Sequence, residues 1–297
     1  MLNPLPRLPE FEYIRLESLS ETLQFLKKHW DEAHPFSGGT DTLVMLRDRK
    51  LHPRYLVDLK HLPGFAELTF DPEKGLTIGG AVTLNQLISS TDVQEHYPVI
   101  SQAAGFVGGY QLRNRATLVG NLCNASPCGD TIGPSMIYQG QVNIIGPGNK
   151  RTLPLEDFFL NPGVTTLMAG EIVQSITFPQ PPAHSKGLYL PIGRNKLADL
   201  AMAAVSVLAY PDETAASGYS FRIALSAVSP TVIIVTAAQD LLSVAVIDDA
   251  SLERAAEIAM QSCKPIDDIR ASRAYRLDMV QTLTLRALRM VWKSLQS

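Results

Sequence analysis

The chain is 297 residues long and 45% hydrophobic, which is enough for a sizeable core and predicts about two domains. Charged residues make up 19% of the chain and the net charge is -3. No basic field therefore exists to attract nucleic acid or an anionic membrane surface, and we expect neither as a partner.

The first half of the chain alternates helix-like and strand-like segments with glycine-rich turns between them. Residues 19–30 carry an apolar stripe at helical spacing, and Ser18 and Glu21 stand at capping-box spacing before it. A tight turn at residues 37–42 joins two further regular elements. Short strands are predicted at residues 55–59 and 76–80, and helices at residues 84–88 and 98–107.

A second glycine-bearing stretch, residues 111–130, is too rich in polar side chains for a core element and is predicted as a loop. It precedes a predicted hairpin with strands at residues 142–145 and 151–155, and then a strand at residues 172–178. Pro179, Pro181 and Pro182 follow and indicate a linker. We therefore predict a domain boundary at about residue 180.

The C-terminal part reads as strands followed by helices. Strands are predicted at residues 187–190, 203–210 and 221–228, the last two pairing antiparallel across a turn at residues 211–218. Helices are predicted at residues 250–261 and 272–295, where apolar residues recur at helical spacing and indicate core positions. The pattern of the first half is that of an α/β or α+β domain that binds a ligand at its loops.

The turn at residues 37–42, here named the first loop, has the chemistry of a diphosphate site. Successive backbone N–H groups can hold phosphate oxygens, and glycines permit both the backbone angles and the close approach. Ser37, Thr40 and Thr42 could add hydroxyl donors. Neither a Walker A loop nor the GxGxxG dinucleotide fingerprint is present, and a Gly-Gly pair alone also fits a purely structural turn.

Residues 117–130, here named the second segment, add a further candidate. Gly120 and Asn121 offer donors at a turn, and Asp130 offers a carboxylate that could accept from a ribose or ribityl hydroxyl. Two separated loops of this kind suit a long cofactor. The alternative is that Asn121, Asn124 and Asp130 only form turn and cap hydrogen bonds.

The three cysteines, Cys123, Cys128 and Cys263, are too few for a conventional iron–sulfur cluster or a four-cysteine zinc site, and their spacing favours simple thiols. The N-terminus lacks the apolar region of a signal peptide, and no stretch approaches the roughly 18 apolar residues of a membrane span. We expect a reducing, cytoplasmic location.

Three blocks together resemble the flavin-binding subunit of molybdenum hydroxylases, the family of xanthine dehydrogenase and carbon monoxide dehydrogenase. They are SGGTD early, GYQLRNRATLVGNLCNASPCGDT in the middle and ASRAYRL before the final helix. The resemblance spans nearly the whole chain. It implies a PCMH-type FAD-binding fold over residues 1–180, with α+β subdomains of about residues 1–60 and 61–180. A small C-terminal domain of antiparallel sheet and helices would follow over residues 181–297.

Carried over position by position, the resemblance implies that two sets of residues bind FAD. The first set is Ser37, Gly38, Gly39, Thr40, Asp41 and Thr42. The second, where the family's TIGGN motif and its downstream acidic residue fall, is Thr117, Gly120, Asn121 and Asp130. The literal TIGG at residues 77–80 is interpreted as scaffold, because its context resembles the strand before the family's next helix.

Two departures from the family pattern bear on the cofactor. Val119 replaces the first glycine of TIGGN, and Leu190 and Pro191 stand where xanthine dehydrogenases place a lysine near the flavin. The flavin's potential or acceptor preference is therefore expected to differ. Arg194 and Asp199 resemble the family's polar pair in this region and are interpreted as structural.

The resemblance implies electron transfer as the function. A partner's [2Fe-2S] clusters would pass electrons to FAD on this chain, and FAD would pass them to NAD, ferredoxin, a quinone or oxygen. The molybdenum cofactor would lie on a large subunit and the clusters on a small one, in a dimer of heterotrimers. The chain itself is expected to supply no catalytic side chain and no metal ligand.

Two other functions remain open on the sequence. One is a stand-alone PCMH-type flavoprotein oxidase or reductase, although no histidine or cysteine of the C-terminal part is convincingly placed for catalysis. The other is a non-catalytic assembly or scaffold subunit, suggested by Val119 and the missing lysine. Substrate and acceptor are not encoded in recognisable motifs of this chain.

Overall fold

A small parallel sheet opens the chain in the computed structural model, which describes residues 7–195 and 199–297. Its strands lie in the order β1-β3-β2. Parallel neighbours need crossover connections, and two helices supply them. These elements are β1 (Glu12–Ile14), α1 (Leu19–Lys28), β2 (Ala33–Phe36), α2 (Thr40–Arg47) and β3 (Tyr55–Asp58). The first loop therefore connects β2 to α2.

A five-stranded antiparallel sheet follows, with the strand order β4-β5-β10-β6-β7, and a two-stranded hairpin lies beside it. The strands are β4 (Leu68–Asp71), β5 (Gly75–Gly79), β6 (Gln141–Gly146), β7 (Asn149–Pro154), β8 (Phe159–Asn161), β9 (Val164–Thr165) and β10 (Ile172–Phe178). Ile145 and Ile172 of this sheet share a core with Leu26 and Val57, which joins it to the first sheet.

Six short helices connect β5 to β6 and carry the second segment. They are α3 (Leu84–Ser89), α4 (Thr91–His96), α5 (Pro98–Phe106), α6 (Tyr110–Arg113), α7 (Leu118–Asn124) and α8 (Ile132–Ile137). All six residues of α8 are buried. The main core of the chain packs these helices against the five-stranded sheet and extends to Tyr189, Ala204 and Ala224 of the C-terminal part.

The C-terminal part is a four-stranded antiparallel sheet, ordered β11-β12-β13-β14, with three helices. Its elements are β11 (Lys186–Ile192), β12 (Ala203–Pro211), β13 (Tyr219–Ser226), β14 (Ile233–Ile234), α9 (Thr236–Val244), α10 (Asp249–Gln261) and α11 (Arg273–Leu295). Residues of β12, β13 and these helices form a second apolar core. The α+β class and the antiparallel sheet with helices predicted from the sequence are confirmed.

Most predicted elements appear with small shifts in their ends. Ser18 caps α1 as expected, but that helix ends at Lys28 and leaves Trp30 outside. Helix α2 begins at Thr40, so the second half of the first loop is helical. The second segment contains the helix α7 where a continuous loop was expected. The sequence did not predict strands β1, β4, β8, β9 and β14 or helices α4, α6, α8 and α9. Within the described ranges, every helix is too short or too polar to cross a membrane.

Candidate cofactor site

The first loop ends in a row of free backbone amides. Helix α2 begins after Gly39, and its first intrahelical bond runs from the Leu43 amide to the Gly39 carbonyl at 2.9 Å. Within residues 7–195 and 199–297, no hydrogen-bond partner faces the amides of residues 38–42. The first amides of a helix point out of its positive end, so these groups are free to hold an anion.

Both glycines of the loop are required by close contacts. A Cβ atom on Gly38 would overlap the carbonyl oxygen of Arg115, so the loop backbone lies directly on the chain just before Thr117. Gly39 has a φ of +73°, in the left-handed region, and a Cβ atom there would overlap the ring of Phe36. The two glycines therefore bring the first loop against the second segment.

The end of β5 joins this arrangement. The Ser37 hydroxyl donates to the Gly80 carbonyl at 2.9 Å. Just beyond Gly80, Thr83 forms a β-bridge with Thr117, and the Leu84 amide donates to the Ala116 carbonyl at 2.9 Å. The literal TIGG peptide thus lies in β5 and at its end, where it touches the first loop through a backbone carbonyl.

Thr117 begins α7 and uses the amides that were expected to be free. Its Oγ1 accepts from the Gly120 amide at 2.9 Å, and its carbonyl accepts from the Asn121 amide at 3.0 Å. A Cβ atom on Gly120 would lie 2.7 Å from Thr117 Oγ1, so glycine leaves space for the cap. Gly120 therefore contributes by leaving space beside the Thr117 hydroxyl, and Asn121 can contact a ligand only through its side chain.

Val119 is accommodated without backbone strain. It lies within α7, its side chain is 3% exposed, and it belongs to the main core with Leu118 and Leu122. It has no positive φ. The departure from the family's first glycine therefore changes a core contact and leaves the path of the backbone through Gly120 and Asn121 helical.

The side chains of Asn121 and Asp130 each make one contact and keep another atom free. Asn121 Oδ1 accepts from the Thr131 hydroxyl at 2.7 Å, and across the described chain its Nδ2 meets no acceptor. Asp130 is 7% exposed, and its Oδ1 accepts from the Tyr189 hydroxyl at 2.6 Å. Burial raises the pKa of Asp130 to about 6, against the opposing effect of the Tyr189 hydrogen bond.

The predicted residues form two groups joined by α7. The first loop lies against the chain at Thr117, and Asp130 lies beyond the other end of the helix, against β11. A helix of this length measures roughly 10 Å. The arrangement can therefore contact separate parts of an extended ligand.

Three residues at the site were not identified from the sequence. Phe36 lies under Gly39, and Lys60 Nζ lies 4.7 Å from the centre of the Phe36 ring while paired with Asp58. Tyr189 binds Asp130 from a strand that is 59 residues away. No local pattern marks these residues, because each acts through a contact made by folding.

The cysteines do not have the surroundings of reactive thiols. Burial raises the pKa of Cys123 and of Cys263 to about 12, and it also raises that of Cys128. All three are free thiols. Among the residues that the structure describes, no group of three or more His, Cys, Asp or Glu side chains could hold a metal ion.

Three other features noted in the sequence and the structure are placed as follows. Pro191 pairs with Ala204 in the C-terminal sheet, and Arg194 binds Asp199 at 3.3 Å across residues 196–198, which lie outside the described ranges. A cavity of about 450 Å³ is lined by Gln139, Glu156 and Phe178 among others, and by none of the residues predicted to bind the cofactor.

Two family models match the chain. The one described as "FAD binding domain in molybdopterin dehydrogenase" matches residues 9–181, and the one described as "CO dehydrogenase flavoprotein C-terminal domain" matches residues 190–291. The xanthine dehydrogenase FAD-binding subunit of Escherichia coli O157:H7 is 29% identical over 93% of this chain and 94% of that protein. The carbon monoxide dehydrogenase medium chain of Hydrogenophaga pseudoflava is 30% identical over 96% of this chain and 98% of its own.

Solved structures are similar over the whole chain. A carbon monoxide dehydrogenase from Hydrogenophaga pseudoflava that lacks the Mo-pyranopterin moiety superposes with a TM-score of 0.92 at 28% identity, covering 97% of this chain and 99% of that one. Quinoline 2-oxidoreductase from Pseudomonas putida 86 gives a TM-score of 0.90 at 26% identity, covering 98% and 100%.

Proposed function

The chain belongs to the family of FAD-binding subunits of molybdenum hydroxylases, and from this premise we propose that it binds one FAD across the first loop and the second segment and passes electrons from partner clusters to an external acceptor. The observation that carries the proposal is the row of free amides at residues 38–42, directly beside the second segment. The experiment that tests it is the flavin content of the purified chain and of two charge variants.

The first loop fits a diphosphate by its backbone. The amides of residues 38–42 are fixed donors at the positive end of α2, and Gly38 lets the backbone approach Arg115 closely. The hydroxyl of Ser37 is held by Gly80 and that of Thr42 lies 3.3 Å from His34, so Thr40 offers the less engaged hydroxyl. Asp41 carries a like charge, so the attraction comes from the amides and not from this side chain.

The second segment fits the hydroxyl-bearing part of the cofactor. Asn121 Nδ2 is available as a donor, and the second oxygen of Asp130 is available as an acceptor. Thr117 holds the first turn of α7, and Gly120 keeps the space above it open. The predicted residues thus supply donors for phosphate oxygens at residues 38–42 and a donor–acceptor pair for hydroxyls at Asn121 and Asp130, and Thr117 and Gly120 shape the backbone between them.

Bound FAD supplies redox chemistry in steps of one or two electrons. The chain's residues hold it, orient it and exclude water, and the proposal assigns them no nucleophile and no metal. Leu190 and Pro191 of β11 stand where the family places a lysine, so the protein brings no ammonium group to the flavin from these positions. We expect the flavin potential to reflect that difference.

The proposal includes partners that the chain's relatives indicate by name. Relatives are called medium chains and FAD-binding subunits, which supports assembly with a small [2Fe-2S] subunit and a large molybdenum-cofactor subunit. We extend this to a dimer of heterotrimers. We also propose a location in the cytoplasm, which the three free thiols support. NAD, ferredoxin, a quinone and oxygen all remain candidate acceptors, and the substrate would bind the large subunit.

We also propose the division into an FAD-binding domain, residues 1–180, with subdomains of about residues 1–60 and 61–180, and a C-terminal domain, residues 181–297. The matches of the two family models, to residues 9–181 and 190–291, support it. The second apolar core, built from residues 203–291, supports it as well.

The test compares two variants that add the same charge to α2. Thr40→Asp places a carboxylate beside the free amides, where it favours the helix but repels a diphosphate. We expect FAD affinity to fall by about 10- to 100-fold, because two like charges lie within a few ångströms. Val44→Asp, at an exposed site one turn further along, should keep about one FAD per chain.

The measurement is the visible absorption spectrum of each purified chain, with the released cofactor identified by chromatography. Flavin in the wild type and in Val44→Asp, but not in Thr40→Asp, supports the proposed diphosphate site. A wild-type chain that stays colourless and takes up no added FAD would overturn the proposal. Equal flavin content in both variants would contradict the proposal that the first loop binds the diphosphate of FAD.

A further inference from the structure

Tyr189 connects the C-terminal sheet to the second segment. Its hydroxyl donates to Asp130 Oδ1 at 2.6 Å, and the two side chains are 1% and 7% exposed. Its amide donates to Gln102 Oε1 on α5 at 2.9 Å, and its ring packs edge-on against Phe106 with 5.7 Å between centres. The phenol is therefore fixed by strand pairing, by a side-chain acceptor and by ring packing.

We propose that Tyr189 is a positioning residue for the cofactor: its phenol fixes one oxygen of the buried Asp130 carboxylate and leaves the other to accept from a sugar-chain hydroxyl of FAD. The inference rests on the proposed FAD site and extends it into the C-terminal domain. Tyr189 needs no contact with FAD in this role, because it acts through Asp130.

A neutral phenol suits this task better than a cation would. A carboxylate in a buried site needs a donor to remain ionised, and a lysine or arginine would compete for both oxygens. Burial and the nearby carboxylate raise the pKa of Tyr189 well above its ordinary value, so the phenol stays a donor. Without that donor, only a backbone hydrogen bond opposes the effect of burial on the pKa of Asp130, and a protonated Asp130 is a poorer acceptor.

The same turn is held at a second point by the ASRAYRL block. The Ala227 amide donates to the Pro127 carbonyl at 2.7 Å. Arg276 in turn binds the carbonyls of Ala227 at 2.9 Å and of Met202 at 2.6 Å. The C-terminal domain thus holds residues 127–130 at both ends, which explains a block that the cofactor loops do not use.

The groups that face Asp130 are few. Tyr189 meets it from β11, and Cys128 of the same turn acts on the Tyr189 phenol electrostatically. Beyond Cys128 lie Arg270, Arg276 and Asp268. Burial raises the pKa of the Cys128 thiol and keeps it neutral. His34, whose pKa burial lowers, lies 3.3 Å from Thr42 Oγ1 in the first loop, so the variant Asp130→Asn is what assigns a change in FAD binding near pH 6 to Asp130.

The test is the pH dependence of FAD affinity for Tyr189→Phe, measured as quenching of FAD fluorescence by the full-length apoprotein. Wild-type affinity should fall as pH drops through about 6, where Asp130 gains a proton. In Tyr189→Phe the fall should begin about one pH unit higher, so that binding is about twofold weaker at pH 7 and close to tenfold weaker near about pH 5, with most of it regained at about pH 8.5.

The matched control is Tyr97→Phe, which also removes a buried phenol, one that donates to the Pro179 carbonyl at 2.9 Å. It should keep the wild-type pH profile. Asp130→Asn should abolish the pH dependence of FAD binding, whether it is introduced into the wild type or into Tyr189→Phe. The inference is overturned if Tyr189→Phe matches the wild type, or weakens binding by one constant factor at every pH. A wild type that binds no FAD would instead overturn the proposed function itself.

Discussion

At the scale of single residues, the candidate site depends on side-chain atoms, and on absent Cβ atoms, that fix the backbone around them. Thr117 holds the first turn of α7 with its hydroxyl, and Gly120 is small enough to leave that hydroxyl in place. Gly38 and Gly39 act in the same way, because each lacks a Cβ atom where the Arg115 carbonyl or the Phe36 ring lies. The residues of the motifs therefore set backbone positions as much as they present donors.

The Thr117 cap leads to a stability prediction. Thr117→Val keeps the branched shape and removes the hydroxyl, so the Gly120 amide loses its partner and the free energy of unfolding should fall by about 1 kcal/mol. Thr117→Ser keeps the hydroxyl and should unfold close to the wild type. Urea denaturation of the three proteins measures the difference, and equal stability of the two variants would contradict the capping role.

At the scale of elements, the start of α11 carries the ASRAYRL block, which holds the turn at residues 127–130. Ser272 caps this helix, and Arg276 in its first turn is 2% exposed. Its Nη2 donates to Asp268 Oδ1 at 2.8 Å, and its Nη1 binds two backbone carbonyls. Burying a guanidinium in this way is tolerable because these partners satisfy most of its donors.

Asp268 should make the stability of this element depend on pH. Hydrogen bonds lower the pKa of Asp268 to about 2, below an unfolded value of about 3.9. The largest effect comes from the Arg270 amide, and Arg276 is among the further donors. A depressed pKa contributes stability that is present above pH 4 and is lost as pH falls toward 2. Because the Asp268 side chain is a quarter exposed and solvent screens its charge, we expect this contribution to be about 1–2 kcal/mol.

The measurement is the free energy of unfolding of Asp268→Asn between about pH 6 and about pH 2. Its deficit relative to the wild type should be largest above pH 4 and shrink as pH falls. Asp278→Asn makes the same charge change at an exposed position of α11, which makes no hydrogen bond or ion pair within the described ranges, and should show no such trend. A deficit that stays constant with pH would contradict the assignment.

At the scale of the whole molecule, the two proposed domains share apolar packing. Helix α8 is fully buried, and the main core includes Tyr189, Ala204, Ala224 and Val232 from the C-terminal part. Gly133 of α8 lies close to the hydroxyls of Ser206 and Ser226. The C-terminal domain therefore completes the core under the second segment.

This shared core predicts cooperative unfolding. The chain should give one calorimetric transition, and a fragment of residues 1–180 should be unstable and fail to bind FAD, since it exposes α8 and lacks Tyr189. Calorimetry of the full chain and FAD titration of the fragment check this. Two separate transitions, or a fragment that binds FAD as tightly as the whole chain, would contradict it.

The sequence predicted the α+β class, most elements and the two loops because those signals act over a few residues. Ser18 caps α1, alternating apolar residues mark β13, and a nearly continuous apolar run marks β12. The helix α7 was missed because Gly120 and Asn121 are weak helix formers, and it forms because Leu118, Val119 and Leu122 enter the core.

The sequence by itself determined the family and the cofactor class and predicted the residues of the two loops, because motifs record chemistry in neighbouring positions. Only the tertiary structure decided how those residues work. It showed that the Gly120 and Asn121 amides are used within α7, that the first loop lies against Arg115, and that Tyr189 holds Asp130. These contacts join residues distant in the chain, and their energies depend on burial that exists only after folding.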